Sequence, residues 1–172
     1  ESYGNTGVQM SSATPYAART QTTPVTPRTA EGTGQRRKDI FEIWRVHRPA
    51  YVATVSPRYP VDLARKFEKA KTIRGPKLFL AAAPCPTGWE FDPAKTIEYA
   101  RLQVETGLFP LKAAAGGGPV VHTHVPARRR PVEEYLRGQG RFRHLFEPVK
   151  QEAVIARIQE DVDRYWAGVG AE

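Results

Sequence analysis

Cysteine is almost absent from this sequence. Cys85 is the single one in 172 residues, which excludes an intrachain disulfide framework and with it a secreted, stapled fold. Long hydrophobic runs are missing too: the longest, Leu78 to Pro84, is far short of the ~20 residues a membrane span needs. No membrane partner is expected. Residue 1 is Glu rather than Met, and no charged n-region with an apolar run follows it. Such a start reads as a truncation or processing scar rather than a signal peptide, and a cytoplasmic location is the default. Acidic residues are in deficit, 18 Asp and Glu against 26 Lys and Arg, giving a net charge of +8 and a pI near 9.8.

That excess alone invites a nucleic-acid reading. The positives are scattered among acids, however: Arg36-Arg37-Lys38 is followed by Asp39 and Glu42, and Lys66, Lys69 and Lys71 surround Glu68. Only Arg128-Arg129-Arg130 is an undiluted run. A soluble surface with a basic bias is favoured over a nucleic-acid face, and an acidic protein partner or phosphate groups explain the charge equally well. With 40% hydrophobic residues the chain suits one globular domain, which should bury roughly 70% of its unfolded surface.

Residues 1 to about 35 are dominated by Gly, Ser, Thr and Pro and carry no sustained period, so they read as loop. Asp39 is placed to cap a short helix with Ile40, Ile43, Trp44 and His47 on one side, stopped by Pro49. Tyr51 to Val55 reads as a buried strand between prolines. Pro60 falls in the first turn of a helix facing inward with Leu63, Phe67, Ala70 and Ile73. Leu78 to Ala83, apolar throughout, reads as a second strand covered on both faces. Strand, helix, strand makes a βαβ unit with parallel strands. Function in open α/β sheets gathers at the carboxyl ends of strands. That directs attention to Ser56-Pro57 and to Pro84-Cys85-Pro86-Thr87-Gly88.

Asp92-Pro93 opens a further helix with Ile97, Ala100, Val104 and Leu108 inward and Gly107 near its end. Gly116-Gly117-Gly118 is a turn between short strands around Leu111 and Val120 to Val125. Val149 to Trp166 is helical, with Ile155, Ile158, Val162 and Trp166 as its stripe. No internal repeat is visible.

Cys85 is the first chemical candidate. An isolated cysteine is usually a small buried hydrophobe. Here Pro84 and Pro86 fix the backbone on either side, as suits a metal or cluster ligand, though one cysteine alone cannot hold a 4Fe–4S cluster. The choice between the two is even on local grounds. The second candidate is Tyr3-Gly4-Asn5-Thr6-Gly7, where glycines permit close backbone approach and Asn5 and Thr6 offer hydrogen-bonding groups. It follows neither a Walker nor a dinucleotide glycine pattern, and its spacing favours an ordinary polar loop. His122 and His124 share one face of a strand but lack an obvious third ligand. Glu133 and Glu134 diverge by about 100° on a helix, which disfavours paired acid–base work.

Taken together, ESYGNTGVQMSSATPYAA (1–18), YVATVSP (51–57), APCPTGWEFDPAKTIEYARLQVETGLFPL (83–111) and RPVEEYLRGQGRFRHLF (130–146) resemble the thiamine-diphosphate-binding β subunits of pyruvate:ferredoxin oxidoreductases, or pyruvate synthases, in their carboxyl-terminal part. The resemblance implies an α/β fold: the carboxyl-terminal part of a thiamine-diphosphate-binding domain over 1–110, with a parallel sheet and flanking helices. A helical extension over 111–172 follows, and 1–35 form the cofactor and substrate loop. It also implies a site. Ser2 supplies a main-chain carbonyl to Mg2+, and Tyr3, Gly4, Asn5 and Thr6 line thiamine diphosphate. Asn5 is the catalytic amide beside the thiazolium and the 2-oxo acid, Thr6 supports the loop, and Cys85 is the last thiolate of the 4Fe–4S cluster nearest the cofactor.

The implied activity is oxidative decarboxylation of pyruvate to acetyl-coenzyme A and carbon dioxide, or the reverse, with ferredoxin as electron partner. Partners are then alpha, gamma and delta type subunits, ferredoxin, pyruvate and coenzyme A, with no nucleic acid. The family's glycine–aspartate–glycine magnesium motif and its other three cysteines do not occur here and belong before Glu1. The chain is therefore expected to be a piece of a longer polypeptide, inactive alone. Met10, Gly4 and the short 112–118 connection depart from the family pattern. A branched-chain or 2-oxoglutarate oxidoreductase is the same-class alternative, and a non-catalytic basic binding module the other.

Overall fold

A computed structural model describes residues 3–28 and 30–169. After a 3-10 turn at Gly4–Thr6, its elements run α1 (Ile40–Val46), β1 (Tyr51–Val55), α2 (Pro60–Lys71), β2 (Lys77–Ala81), α3 (Pro86–Trp89) and α4 (Thr96–Glu105). They continue with β3 (Leu111–Ala115), β4 (Val121–His124), α5 (Val132–Leu136) and α6 (Glu152–Ala167), with a 3-10 segment at Gly140–Leu145. No helix among the described residues is long and apolar enough to cross a membrane.

The four strands form one sheet in the order β2-β1-β3-β4. β1 and β2 run parallel, Tyr51 facing Lys77 and Val55 facing Ala81, as the βαβ reading expects. β3 lies antiparallel on the other side of β1, with Tyr51 opposite Ala115, and β4 returns antiparallel to β3. The sheet is therefore mixed, which corrects the expectation of a parallel one. Gly116 and Gly117, both at positive φ, make the tight reversal that returns β4 on β3, whereas the antiparallel seating of β3 on β1 is set by non-local packing.

β1 is buried along its whole length because it sits between two strands and two helices. α1 covers one face, where Phe41 meets Val52 and Ala114, and α2 covers the other through Ala70 against Tyr51 and Ala53. β2 is an edge strand, and its Leu78, Phe79 and Leu80 are only half-buried. Three helical faces also differ from expectation, and in α2 the expected inward Phe67 is exposed while Lys66 is buried. In α1 the anchor is Phe41, while Ile43 and Trp44 are exposed; in α4 Ile97 is exposed and Tyr99, Leu102 and Gln103 turn inward.

α2 shows why its sequence folds locally. Pro60 fits its first turn, Asp62 lies at its positive end and Lys69 and Lys71 at its negative end. Lys66 is buried beneath it, donating to the Thr54 carbonyl at 2.8 Å and to Asp62 at 2.6 Å. The main core is elsewhere: Trp89, Phe91 and Tyr99 pack with Tyr135, Phe142, Leu145 and the Ile155, Ile158, Val162 and Trp166 stripe of α6. Ala17 and Ala18 of the amino-terminal loop are fully buried in that same core, so the loop is fastened to it.

Candidate functional site

The amino-terminal segment holds its shape without a strand or a long helix. Gly4–Thr6 is one 3-10 turn closed by the Gly7 N–H on the Gly4 carbonyl at 3.1 Å, and Gly7 takes φ 90°, a value that favours glycine. The Thr6 hydroxyl donates to the Tyr3 carbonyl at 3.0 Å. Behind the turn, the Ser11 N–H donates to the Thr14 hydroxyl at 2.9 Å and the Arg19 N–H to the Arg141 carbonyl at 2.8 Å. The Ala17 N–H donates to the Thr33 carbonyl at 2.8 Å and the Thr33 N–H to the Ala18 carbonyl at 3.0 Å, a strap that ties this segment to the next pass of the loop. Tyr3, Asn5 and Thr6 themselves remain exposed and Gly4 is half-buried. Ser2, the expected magnesium ligand, lies outside the described residues.

The sulfur-bearing turn follows β2. Cys85 is the residue before α3 in extended conformation, with Pro86 at the first helical position. Its sulfur accepts the Gly88 N–H at 3.3 Å, and the Cys85 carbonyl accepts the Trp89 N–H at 2.9 Å. Glu90 stops the helix at φ 57°, and Trp89 is buried beneath the turn. Cys85 is 7% exposed.

The two turns meet. The Gly4 N–H donates to the Cys85 sulfur at 3.2 Å, across 81 residues of sequence. A Cβ on Gly4 would stand 3.0 Å from the Thr87 Cβ, so the backbones approach as closely as a glycine allows. A nearly buried cysteine sulfur that receives two backbone N–H groups has the surroundings that suit an iron–sulfur ligand. Among the described residues no group of three or more His, Cys, Asp or Glu is placed to hold a metal ion.

The other candidates serve structure. His122 shares a hydrogen bond with the Tyr165 hydroxyl at 2.8 Å, and His124 packs against Tyr59 in a tilted arrangement with ring centres 4.7 Å apart. Burial, then the neighbouring Lys112 charge, hold His122 below its ordinary pKa. Glu133 pairs with Lys150 at 2.9 Å and with Arg137, which lower its pKa, while Glu134 pairs with Arg130. The divergence expected from their helical spacing is what separates them.

Sequence reasoning passed over Arg141. Its guanidinium is 1% exposed, lies 3.9 Å above the Trp89 ring, and donates to Gln139 at 2.8 Å and to the Tyr135 hydroxyl at 2.9 Å. In sequence Arg141 is one of three arginines in RGQGRFRHLF (137–146), set between Gly140 and Phe142, and nothing there marks it as buried. A cleft of about 720 Å3 also opens at the carboxyl end of β2, bordered by Ala81, Ala82, Trp89, Gln103, Lys112 and Tyr165. The Gln103 Oε1 is buried there with no hydrogen-bond partner among the described residues. Neither Cys85 nor Tyr3–Thr6 borders that cleft.

No family model matches the chain. Among curated proteins it is 45% identical over 163 residues to pyruvate synthase subunit PorB of Methanocaldococcus jannaschii, covering 95% of this chain and 52% of the relative. It is 47% identical to the subunit of the same name in Methanothermobacter thermautotrophicus, over 95% of this chain and 54% of that protein. To ketoisovalerate oxidoreductase subunit VorB of Pyrococcus furiosus it is 42% identical over 146 residues, 84% of this chain and 47% of that one. The chain spans about half the length of the curated relatives it matches.

Proposed function

From a chain homologous to the PorB subunits of pyruvate synthase, we propose a part in the same chemistry: the thiamine-diphosphate half-site of a 2-oxo acid:ferredoxin oxidoreductase that acts on pyruvate and coenzyme A together with further subunits and ferredoxin. The observation that carries the reading is the 3.2 Å contact between the Gly4 N–H and the Cys85 sulfur. It puts the two motifs of the resemblance at one place, where a thiazolium and a redox centre would need to be neighbours.

On this reading residues 1–110 form the cofactor-binding part, with 1–35 as its loop, and 111–172 the extension. When bound, thiamine diphosphate with Mg2+ supplies a nucleophilic carbon for the keto group of a 2-oxo acid, and a 4Fe–4S cluster supplies one-electron transfer. The chain's own residues orient that chemistry. The exposed Asn5 amide donates to the substrate's keto oxygen, where negative charge develops. Thr6 keeps the turn closed through its bond to the Tyr3 carbonyl, Ser2 offers its main-chain carbonyl to Mg2+, and Cys85 presents its sulfur as one cluster thiolate.

The test uses the complete subunit assembled anaerobically with its partners. Cys85→Ser should lose about four iron atoms, one cluster, per subunit. Asn5→Ala should keep its cofactors and lower kcat about 100-fold. Cluster content untouched by Cys85→Ser, or full turnover with Asn5→Ala, overturns the assignment. A second substrate reading has its own support in the 42% identity to a ketoisovalerate enzyme subunit. A higher kcat/KM for 2-oxoisovalerate than for pyruvate would move the assignment there.

A further inference from the structure

We propose that the Gly4 and Gly88 N–H groups raise the reduction potential of the cluster carried by Cys85, and that Gly4 ties this potential to the position of the Tyr3–Thr6 turn. The inference rests on the reading of Cys85 as a cluster ligand. One sulfur receives two backbone donors, at 3.2 Å from Gly4 and 3.3 Å from Gly88. They differ in kind. The Gly88 bond is local, three residues along the same turn, and persists wherever Cys85 caps α3. The Gly4 bond comes from the amino-terminal turn, and it exists only while that turn is seated against Thr87.

Adding one electron to a thiolate-bound cluster spreads negative charge onto its sulfurs. An N–H dipole aimed at such a sulfur therefore stabilises the reduced state more than the oxidised one, and the potential moves positive. At 7% exposure of Cys85 water screens the dipoles weakly, so their effect is larger than at a surface. Glycine at position 4 is what permits the approach, since a Cβ there would stand 3.0 Å from the Thr87 Cβ and 3.5 Å from the sulfur. Ligand binding that shifts the turn changes the N–H to sulfur distance, and by reciprocity electron load on the sulfur changes the hold on the turn.

The experiment compares two substitutions at one position in the complete, cluster-loaded assembly. Gly4→Ala keeps the N–H, but its Cβ, 3.0 Å from the Thr87 Cβ, pushes the turn away from the sulfur. Gly4→Pro adds similar bulk and removes the N–H, at the first residue of a 3-10 turn that follows Tyr3 at φ −85° and ψ 134°, a conformation proline accepts after it. The midpoint potential of the cluster lost in Cys85→Ser, read by redox titration of its electron paramagnetic resonance signal, should be more negative in both variants than in the unaltered assembly, and most negative in Gly4→Pro. A potential in Gly4→Pro equal to that of the unaltered assembly overturns the inference. Should Gly4→Pro fail to assemble, resonance Raman spectra of the unaltered assembly produced in light and heavy water decide: the iron–cysteine-sulfur stretch should shift on deuteration, and an unmoved band overturns the inference. Retention of every cluster in Cys85→Ser defeats the underlying ligand assignment instead, and is distinguishable from both.

Discussion

Arg141 shows how much a single side chain can organise. Its guanidinium lies over the ring of Trp89, the residue that underlies the Cys85 turn, while its backbone carbonyl holds Arg19 of the amino-terminal loop. It thus joins the floor of one motif to the root of the other. Arg141→Ala should cost about 3 kcal/mol, since it strands the Gln139 and Tyr135 hydrogen-bonding groups and removes the stacked cation; the urea midpoint measures it. Arg141→Lys should recover little, because an ammonium can neither stack flat nor reach both acceptors as a planar fork does. Its position was not legible in sequence, where a cation in a Gly- and Phe-bearing stretch reads as surface. Only tertiary packing decides that Trp89 and Phe142 close over it.

His122 gives a second prediction at the same scale. Burial and Lys112 keep its folded-state pKa below the ordinary 6.5. Between those two values the unfolded chain binds a proton that the folded chain refuses, so stability is complete above about pH 6.5 and declines as pH falls toward the folded pKa. His144, also held low by burial, contributes with the same sign. The Tm measured from pH 7.5 to pH 4.5 should fall on acidification, and less steeply in His122→Gln.

Among the elements, those with local punctuation were readable. Asp39 caps α1 by accepting the Glu42 N–H at 3.1 Å, and Pro60 and Asp92 open helical turns where their residue types predict. Asp39→Ala should lower stability by about 1–2 kcal/mol in thermal denaturation, because the cap is lost together with a partner 3.3 Å from the buried Lys112 ammonium. Faces and strand order were less readable. Ile43 and Trp44 fit a helical stripe, yet α1 meets the sheet through Phe41, since the angle at which a helix lands is set by the surface it lands on. That β3 pairs with β1 on the side away from β2 is likewise a non-local choice, and no residue in Leu111–Ala115 announces it.

At the scale of the molecule, the glycine turn and the proline-flanked cysteine were each conspicuous in sequence, but nothing in their spacing said that they touch. Eighty-one residues separate the Gly4 nitrogen from the Cys85 sulfur, and their meeting depends on Ala17 and Ala18 being drawn into the core beside Trp89. The net charge of +8 bears on a different property. If the proposed electron partner is an acidic ferredoxin, its association rate with the assembled enzyme should fall steeply as salt rises. A rate indifferent to ionic strength in stopped-flow mixing would remove that role from the basic surface.

β2 lies at the margin of the sheet with Lys77 at its start and only half-shielded Leu78, Phe79 and Leu80 behind it. Among the described residues no strand pairs with its outward amide and carbonyl groups, and such an open border attracts extended peptides. Handled alone at high concentration, this polypeptide should therefore tend to zip onto its own copies along this border, which sedimentation against concentration measures.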